Sequence, residues 1–255
     1  MNKKLIIGNW KMNPPSIEEA VDISNKIRIM ATDLKQTDVV IAPPYVFITS
    51  TKPKDEQKNL FMGAQSASAD AEGAHTGEVS ARMLGDIGVK YVIVGHSEQR
   101  ERGETNEIVS KKISAVLDAG LVPVVCVGEK SHDQESGSHY DFLLDQIKQT
   151  FANVTKKASK DVVIAYEPIW AIGATEPMAP DQILETTIFI RKVFSDLFDS
   201  KVAKKVPVLY GGSVNFKNAE SIMSVGKVDG LLVGRESVNV TGFLELLRVV
   251  DSLQY

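Results

Sequence analysis

The stretch "VVIAYEP" (162–168) holds the fold in miniature. Val162 to Tyr166 are apolar without alternation, the composition of a strand buried on both faces and so of a parallel sheet. Glu167 follows, and then Pro168, which has no N–H to give to a sheet ladder and ends the strand. An acid therefore stands at the tip of an apolar strand, with a stiff turn behind it.

Seven other runs have the same character: "LIIGNW" (5–10), "DVVIAPP" (38–44), "LFMGAQ" (60–65), "YVIVGHS" (91–97), "VPVVCVGE" (122–129), "VPVLYGGS" (206–213) and "GLLVGR" (230–235). Segments with helical spacing lie between them. Ala20, Ile23, Ile27, Met30 and Leu34 keep a 3–4 step, and Ser16 with Glu19 has capping-box spacing just ahead. "NEIVSKKISAVLDAG" (106–120) closes on Gly120, a C-terminal cap. "SHYDFLLDQIKQTFANV" (138–154) and "PDQILETTIFIRKVFSDLF" (180–198) read as long amphipathic helices. Eight strands alternating with helices give an α/β protein, and eight is the number that closes a (β/α)8 barrel of about 250 residues. An open doubly wound sheet is the competing arrangement on pattern alone. No linker or composition break divides residues 1–255, which read as a single domain.

The 255 residues are 43% hydrophobic and 24% charged, with a net charge of −4, so no overall field favours nucleic acid or an anionic membrane. Cys126 is the only cysteine, which excludes an intrachain disulfide and fits a reducing compartment. The apolar run in "MNKKLIIGNWKMN" is too short for a signal-peptide core. No stretch approaches the ~18 apolar residues of a spanning helix. The expectation is a soluble cytoplasmic protein with no nucleic-acid or membrane partner.

In a barrel, functional residues occupy the C-terminal ends of the strands. The polar residues there are Asn9, Lys11, Gln65, His96, Ser97, Glu98, Glu129, Glu167, Ser213 and Arg235. No His/Cys cluster has ligand spacing and no GxGxxG follows the first strand, so neither a metal nor a dinucleotide is expected. Gly211, Gly212 and Gly234 fall where backbone can approach a ligand, in the loops that form the usual phosphate site of these barrels. Taken singly, His96 reads as structural, Lys11 as a solvated lysine within the first strand, and Glu167 as a surface ion-pair partner. A base, an acid and a cation aimed at one mouth by separate strand ends favour chemistry instead. His75, His132 and His139 lie in connectors and receive no role.

"GNWKMN" (8–13), "VIVGHSE" (92–98), "CVGE" (126–129), "AYEPIWAIG" (165–173) and "YGGSVN" (210–215) together resemble the signatures of the triosephosphate isomerase family, in that family's order. The resemblance implies a TIM barrel that interconverts dihydroxyacetone phosphate and glyceraldehyde 3-phosphate through an enediolate, without a cofactor. It implies Glu167 as base and His96 as a neutral hydrogen-bond donor, kept neutral by a helix N-terminus in "RGETNEIV" (102–109). Lys11 would balance negative charge, Asn9 orient the oxygens, and Glu98 pair with Lys11. Gly173, Ser213, Gly234 and Arg235 would hold the phosphate. Pro168, Trp170, Ala171 and Ile172 would belong to a lid latched by Tyr210 and Ser213. The connector "SASADAEGAHTGEVS" (66–80), with Thr76 at its tip and Glu78 beside it, matches a loop that enters a partner subunit and implies a homodimer.

Three places depart from the family's usual sequence: Gln99 where arginine is usual, Arg235-Glu236 where small residues are common, and "AIGATEPMAP" (171–180) in the lid and its hinge. Two other readings stand beside this one. They are a barrel acting on a different sugar phosphate and a catalytically silent binding protein.

Overall fold

A computed structural model describes residues 3–53, 55, 57–131, 137–171 and 177–254. Its strands are β1 (Lys4–Asn9), β2 (Thr37–Ala42), β3 (Leu60–Ala64), β4 (Val89–Val94), β5 (Val122–Val127), β6 (Val163–Tyr166), β7 (Val208–Tyr210) and β8 (Gly230–Val233). Each pairs in parallel with the next, and β8 returns to β1 with Leu5 opposite Gly230 and Ile7 opposite Leu232. The sheet is a closed (β/α)8 barrel, which rules out the open arrangement.

Closure explains why the apolar runs do not alternate. Successive side chains point to opposite faces of a strand, and here both faces are dry. One set fills the barrel: Leu5, Ile7, Val40, Ile93, Val124, Cys126, Ala165, Leu209 and Leu232. The other set, including Ile6, Val39, Ile41, Val92 and Ile164, packs outward against helix residues such as Ile27, Ile113, Ile190 and Leu246. A barrel position needs an apolar residue whichever way it points.

The helix signals act where the sequence puts them. Ser16 Oγ accepts the Glu19 amide at 3.2 Å and opens the Ile17–Asp33 helix. Thr105 does the same for the Asn106–Asp118 helix, and Gly120 follows it with φ +74°. The helix read over 138–154 is shorter, Ser138–Thr150, and the turn that follows keeps Phe151 and Val154 buried in the core. Lys11 is not within the first strand. It lies past the end of β1 with φ +53°. Because all strands run parallel, all their C-terminal ends open on one mouth.

Candidate active site

That mouth holds a cavity of about 460 Å³, walled by Asn9 at the end of β1 and Lys11 after it, His96 and Glu98 after β4, Glu167 after β6, Ser213 after β7, and Gly234 with Arg235 after β8. The barrel brings together residues up to 227 positions apart in the chain, from Asn9 to Glu236.

Glu167 is the first residue beyond β6. Its amide donates to the Val127 carbonyl at 2.8 Å, and the Gly211 amide donates to the Tyr166 carbonyl at 2.8 Å, so both neighbouring strands fix its backbone. The residue is 3% exposed. Two glycines make the room. A Cβ on Gly211 would stand 2.8 Å from Glu167 Cγ, and one on Gly128 would collide with the Glu167 carbonyl. Gly211, read from sequence as a ligand-approach glycine, is here required by the acid itself.

His96 is mounted just as firmly. Gly95, at φ +71°, donates its amide to Glu104 Oε2 at 2.9 Å and accepts from Arg100 Nε at 2.7 Å through its carbonyl. His96 then caps the short Ser97–Glu101 helix, its Nδ1 accepting the Glu98 amide at 3.2 Å. The amide that meets the imidazole therefore comes from this helix, not from the one starting at Asn106. With Nδ1 accepting, the proton sits on Nε2, which points at Glu167 Oε1, 3.3 Å away.

The electrostatics of this pair oppose one another. Burial disfavours charge on His96, but the Glu167 carboxylate outweighs it and raises the imidazole above its ordinary value. Burial also disfavours charge on Glu167, but His96, then the Cys126 thiol and Lys11, outweigh it and hold the acid below the ordinary carboxylate value. An imidazole neutral throughout the neutral range thus meets an opposing pull in the free protein.

Lys11 reaches the cavity from a left-handed backbone, uncommon for a residue with a side chain. Its amide donates to Asn9 Oδ1 at 3.1 Å, and its carbonyl accepts from Gln65 Nε2 at 2.8 Å. Gln65 Nε2 also donates to the Ala42 carbonyl at 2.9 Å, tying the β1 and β2 loops to the end of β3. Lys11 Nζ lies 2.6 Å from Glu98 Oε1.

The chain after Glu167 starts from a fixed base. Glu129 Oε1 accepts from Tyr166 Oη at 2.9 Å and from Trp170 Nε1 at 2.8 Å. Its backbone carbonyl accepts the Ile169 amide at 2.9 Å. Ser213 Oγ donates to the Ala171 carbonyl at 3.0 Å, joining the β7 loop to this turn. Tyr210 is fully buried, and burial raises its phenol above the ordinary range. Ile172, Gly173 and the Glu176 side of the hinge lie outside the described residues, as does His132. Thr76 and Glu78 are exposed and do not line the cavity. Among the described residues, no group of three His, Cys, Asp or Glu side chains has the geometry to hold a metal ion.

The sequence flagged Gln65 and Glu129 as strand-end polar residues without giving them a task. Their tasks are contacts to other strands, which spacing along one strand does not reveal. What the cavity can do is move a proton: a carboxylate base and an N–H donor share one dry floor, with a cation at the rim.

A family model described as triosephosphate isomerase matches residues 4–250. The chain is 38% identical over 249 residues to the triosephosphate isomerase of Fusobacterium nucleatum subsp. nucleatum, an alignment spanning 97% of this chain and 99% of that protein. It is 40% identical to that of Carboxydothermus hydrogenoformans, again spanning 97% and 99%. The corresponding protein of Chlamydia trachomatis serovar D is 38% identical, spanning 98% of this chain and 91% of the relative.

Proposed function

The chain belongs to the triosephosphate isomerase family, and we propose that Glu167, His96 and Lys11 divide that enzyme's reaction among themselves. The reaction interconverts dihydroxyacetone phosphate and glyceraldehyde 3-phosphate without a cofactor. The alternatives, a different sugar phosphate or a silent binding protein, find no support among the relatives.

The observation that carries the assignment is the Glu167–His96 contact of 3.3 Å on the cavity floor. A bound triose phosphate comes between the two. The carboxylate then faces the carbon beside the carbonyl and takes its proton, and the C–H electron pair moves into the enediolate. Nε2–H faces the carbonyl oxygen and donates to the growing negative charge. The hydroxyl proton of the first carbon passes to the former carbonyl oxygen by way of His96 Nε2, and Glu167 returns the carbon proton to the neighbouring carbon, so that carbonyl and hydroxyl change places. Separation from the carboxylate removes the pull that raises His96. Burial and the Glu98 amide then favour the neutral ring, which is the useful donor. Lys11 offsets the charge of phosphate and enediolate, and Asn9 holds the lysine backbone. Ser213, Gly234, Arg235 and Gly173 receive the phosphate. Pro168, Trp170, Ala171 and Ile172 begin the lid, with Ser213 and Tyr210 as its latches.

The pair makes a directional test. In the free protein the His96 midpoint lies above its ordinary 6.5, and Glu167→Gln lowers it by removing the carboxylate charge. Nitrogen NMR of both proteins across acid to neutral pH measures this. An equal midpoint in the two would remove the pairing from the account. The sign for stability follows from linkage. The raised His96 stabilises the fold below its unfolded value and loses that effect as pH rises through its folded value. The lowered Glu167 stabilises above its unfolded value and loses that effect as pH falls through its folded value. Both act between about 4.5 and about 6.5.

The family's glycolytic role supports a cytoplasmic location, and the family match over 4–250 supports one domain. The same reading takes the active form as a homodimer. Met12 is 92% exposed, Val46 75% and Met83 58%. They stand in the neighbouring connectors after β1, β2 and β3, beside the loop that carries Thr76 and Glu78. A second copy laid on these connectors covers apolar surface that water otherwise meets. Thr76→Arg places an unpaired charge in that contact and gives monomers of low activity. Sedimentation measures this, and a wild type that sediments as a monomer at micromolar concentration refutes the dimer.

A further inference from the structure

The exits of β3 and β4 share a lysine that does not line the cavity. Lys112 stands on the Asn106–Asp118 helix, with its side chain 13% exposed. Its Nζ lies 2.6 Å from Glu104 Oε1 and donates to Ser66 Oγ at 3.0 Å. Two of the three ammonium donors are directed at different strand exits.

Each contact leads to a residue that mounts a side chain of the active site. Glu104 Oε2 accepts the amide of Gly95, the residue before His96, at 2.9 Å. Gly95, at φ +71°, has no side chain of its own to fix its turn. Ser66 follows Gln65, whose side-chain amide holds the Lys11 carbonyl at 2.8 Å. Lys11, at φ +53°, keeps its left-handed backbone only where the surroundings over-determine it. The Tyr45 hydroxyl also bonds Ser66, from the connector after β2.

The Glu104 side chain is 6% exposed, and among the described residues Lys112 makes its only ion pair. Gln99, whose carbonyl accepts the Glu104 amide at 3.1 Å, brings no charge where the family usually has arginine. A buried ion pair gains little over an apolar pair of the same shape. Stability alone therefore gives no reason for it, whereas a tie between two loops does.

We propose that Lys112 is a positioning residue for the isomerase reaction, a clamp that sets His96 and Lys11 relative to each other from outside the cavity. The proposal rests on the roles given above to His96 and Lys11. Through Glu104 the clamp fixes the Gly95–His96 peptide and so the aim of Nε2. Through Ser66 it fixes Gln65 and so the place of the Lys11 ammonium. The donor and the cation must meet one bound triose phosphate together, yet they come from β4 and β1, which are not neighbours in the sheet. Gln65 and Lys112 span the gap between them.

The test combines steady-state kinetics, thermal melting and calorimetry with a phosphoglycolate-type mimic, all on the full chain. Lys112→Met lowers kcat by about tenfold, the cost of a displacement of roughly half an ångström. It also strands the Glu104 carboxylate and melts lower. Adding Glu104→Gln removes that charge, keeps an oxygen for the Gly95 amide and brings the melting temperature back toward the wild type. Its kcat stays low, because the tie between the loops is still missing. A merely structural ion pair would regain turnover along with stability. Ser66→Ala leaves Lys112, Glu104 and Gly95 joined and frees only the Gln65 side. It weakens binding of the mimic by about threefold, the effect of one hydrogen bond. That measurement needs no turnover, so it tests the clamp separately from the catalytic reading. Wild-type kcat in the double variant overturns the proposal, as does undiminished affinity for the mimic in Ser66→Ala.

Discussion

Glu167→Gln lowers kcat by roughly 10²–10⁴-fold, the usual contribution of a positioned general base. The amide keeps the shape of the carboxylate, so it fits the space left by Gly211 and Gly128. It keeps an oxygen for His96 Nε2 to donate to. It lacks the negative charge and the basic lone pair that take a proton from carbon. Affinity for substrate therefore changes far less than turnover, which a KM-against-kcat comparison shows. Glu167→Asp keeps the base and withdraws it by one methylene. A displacement near 1 Å costs ~10²-fold in rate. Circular dichroism and thermal melting establish that both variants are folded. A glutamine variant that retains more than about a tenth of wild-type turnover takes the base assignment away from Glu167.

Lys11→Met weakens binding of phosphate-bearing ligands by roughly 10²- to 4 × 10³-fold. Breaking a buried ion pair from one side costs about 3–5 kcal/mol, and each 1.4 kcal/mol is about tenfold in affinity. Methionine matches the length of the lysine stem, and its backbone meets the same left-handed geometry, so strain at position 11 is common to both proteins. Glu98 loses its partner but is half exposed, so the free protein is little affected. The loss falls on the complex, where the anion excludes water and has no counter-charge. Calorimetry with a phosphoglycolate-type mimic measures it. Equal affinity in the two proteins places Lys11 outside the substrate's reach.

The barrel was legible because strands buried on both faces leave unbroken apolar runs, seven of which end in a recognisable polar stop and the second in Pro43-Pro44. Glu167 stood out because Pro168 fixes the strand end in the sequence itself. The backbone at Lys11 was not legible. Lysine carries no marker of φ +53°, and the Gln65 clamp comes from another strand. The Ser97–Glu101 helix is too short to show a period, so the source of the amide at His96 was placed one helix too late. Gly211 was noticed for its approach to a ligand, and it lines the cavity, but the room it leaves for Glu167 was not legible. What sequence spacing hides at Lys11 and Gly211 is a contact between strands, and closure of the barrel makes such contacts the rule at the mouth.

The left-handed backbone at Lys11 sets the fold and the reaction at odds. A side-chain-bearing residue in a rare conformation costs about 1–3 kcal/mol, which glycine at the same position largely avoids. Selection for heat resistance alone therefore favours Lys11→Gly, a change that strengthens the scaffold and empties the mouth of its cation. A library screened only for folding loses this lysine early, whereas one screened for turnover keeps it and must gain its robustness at other positions.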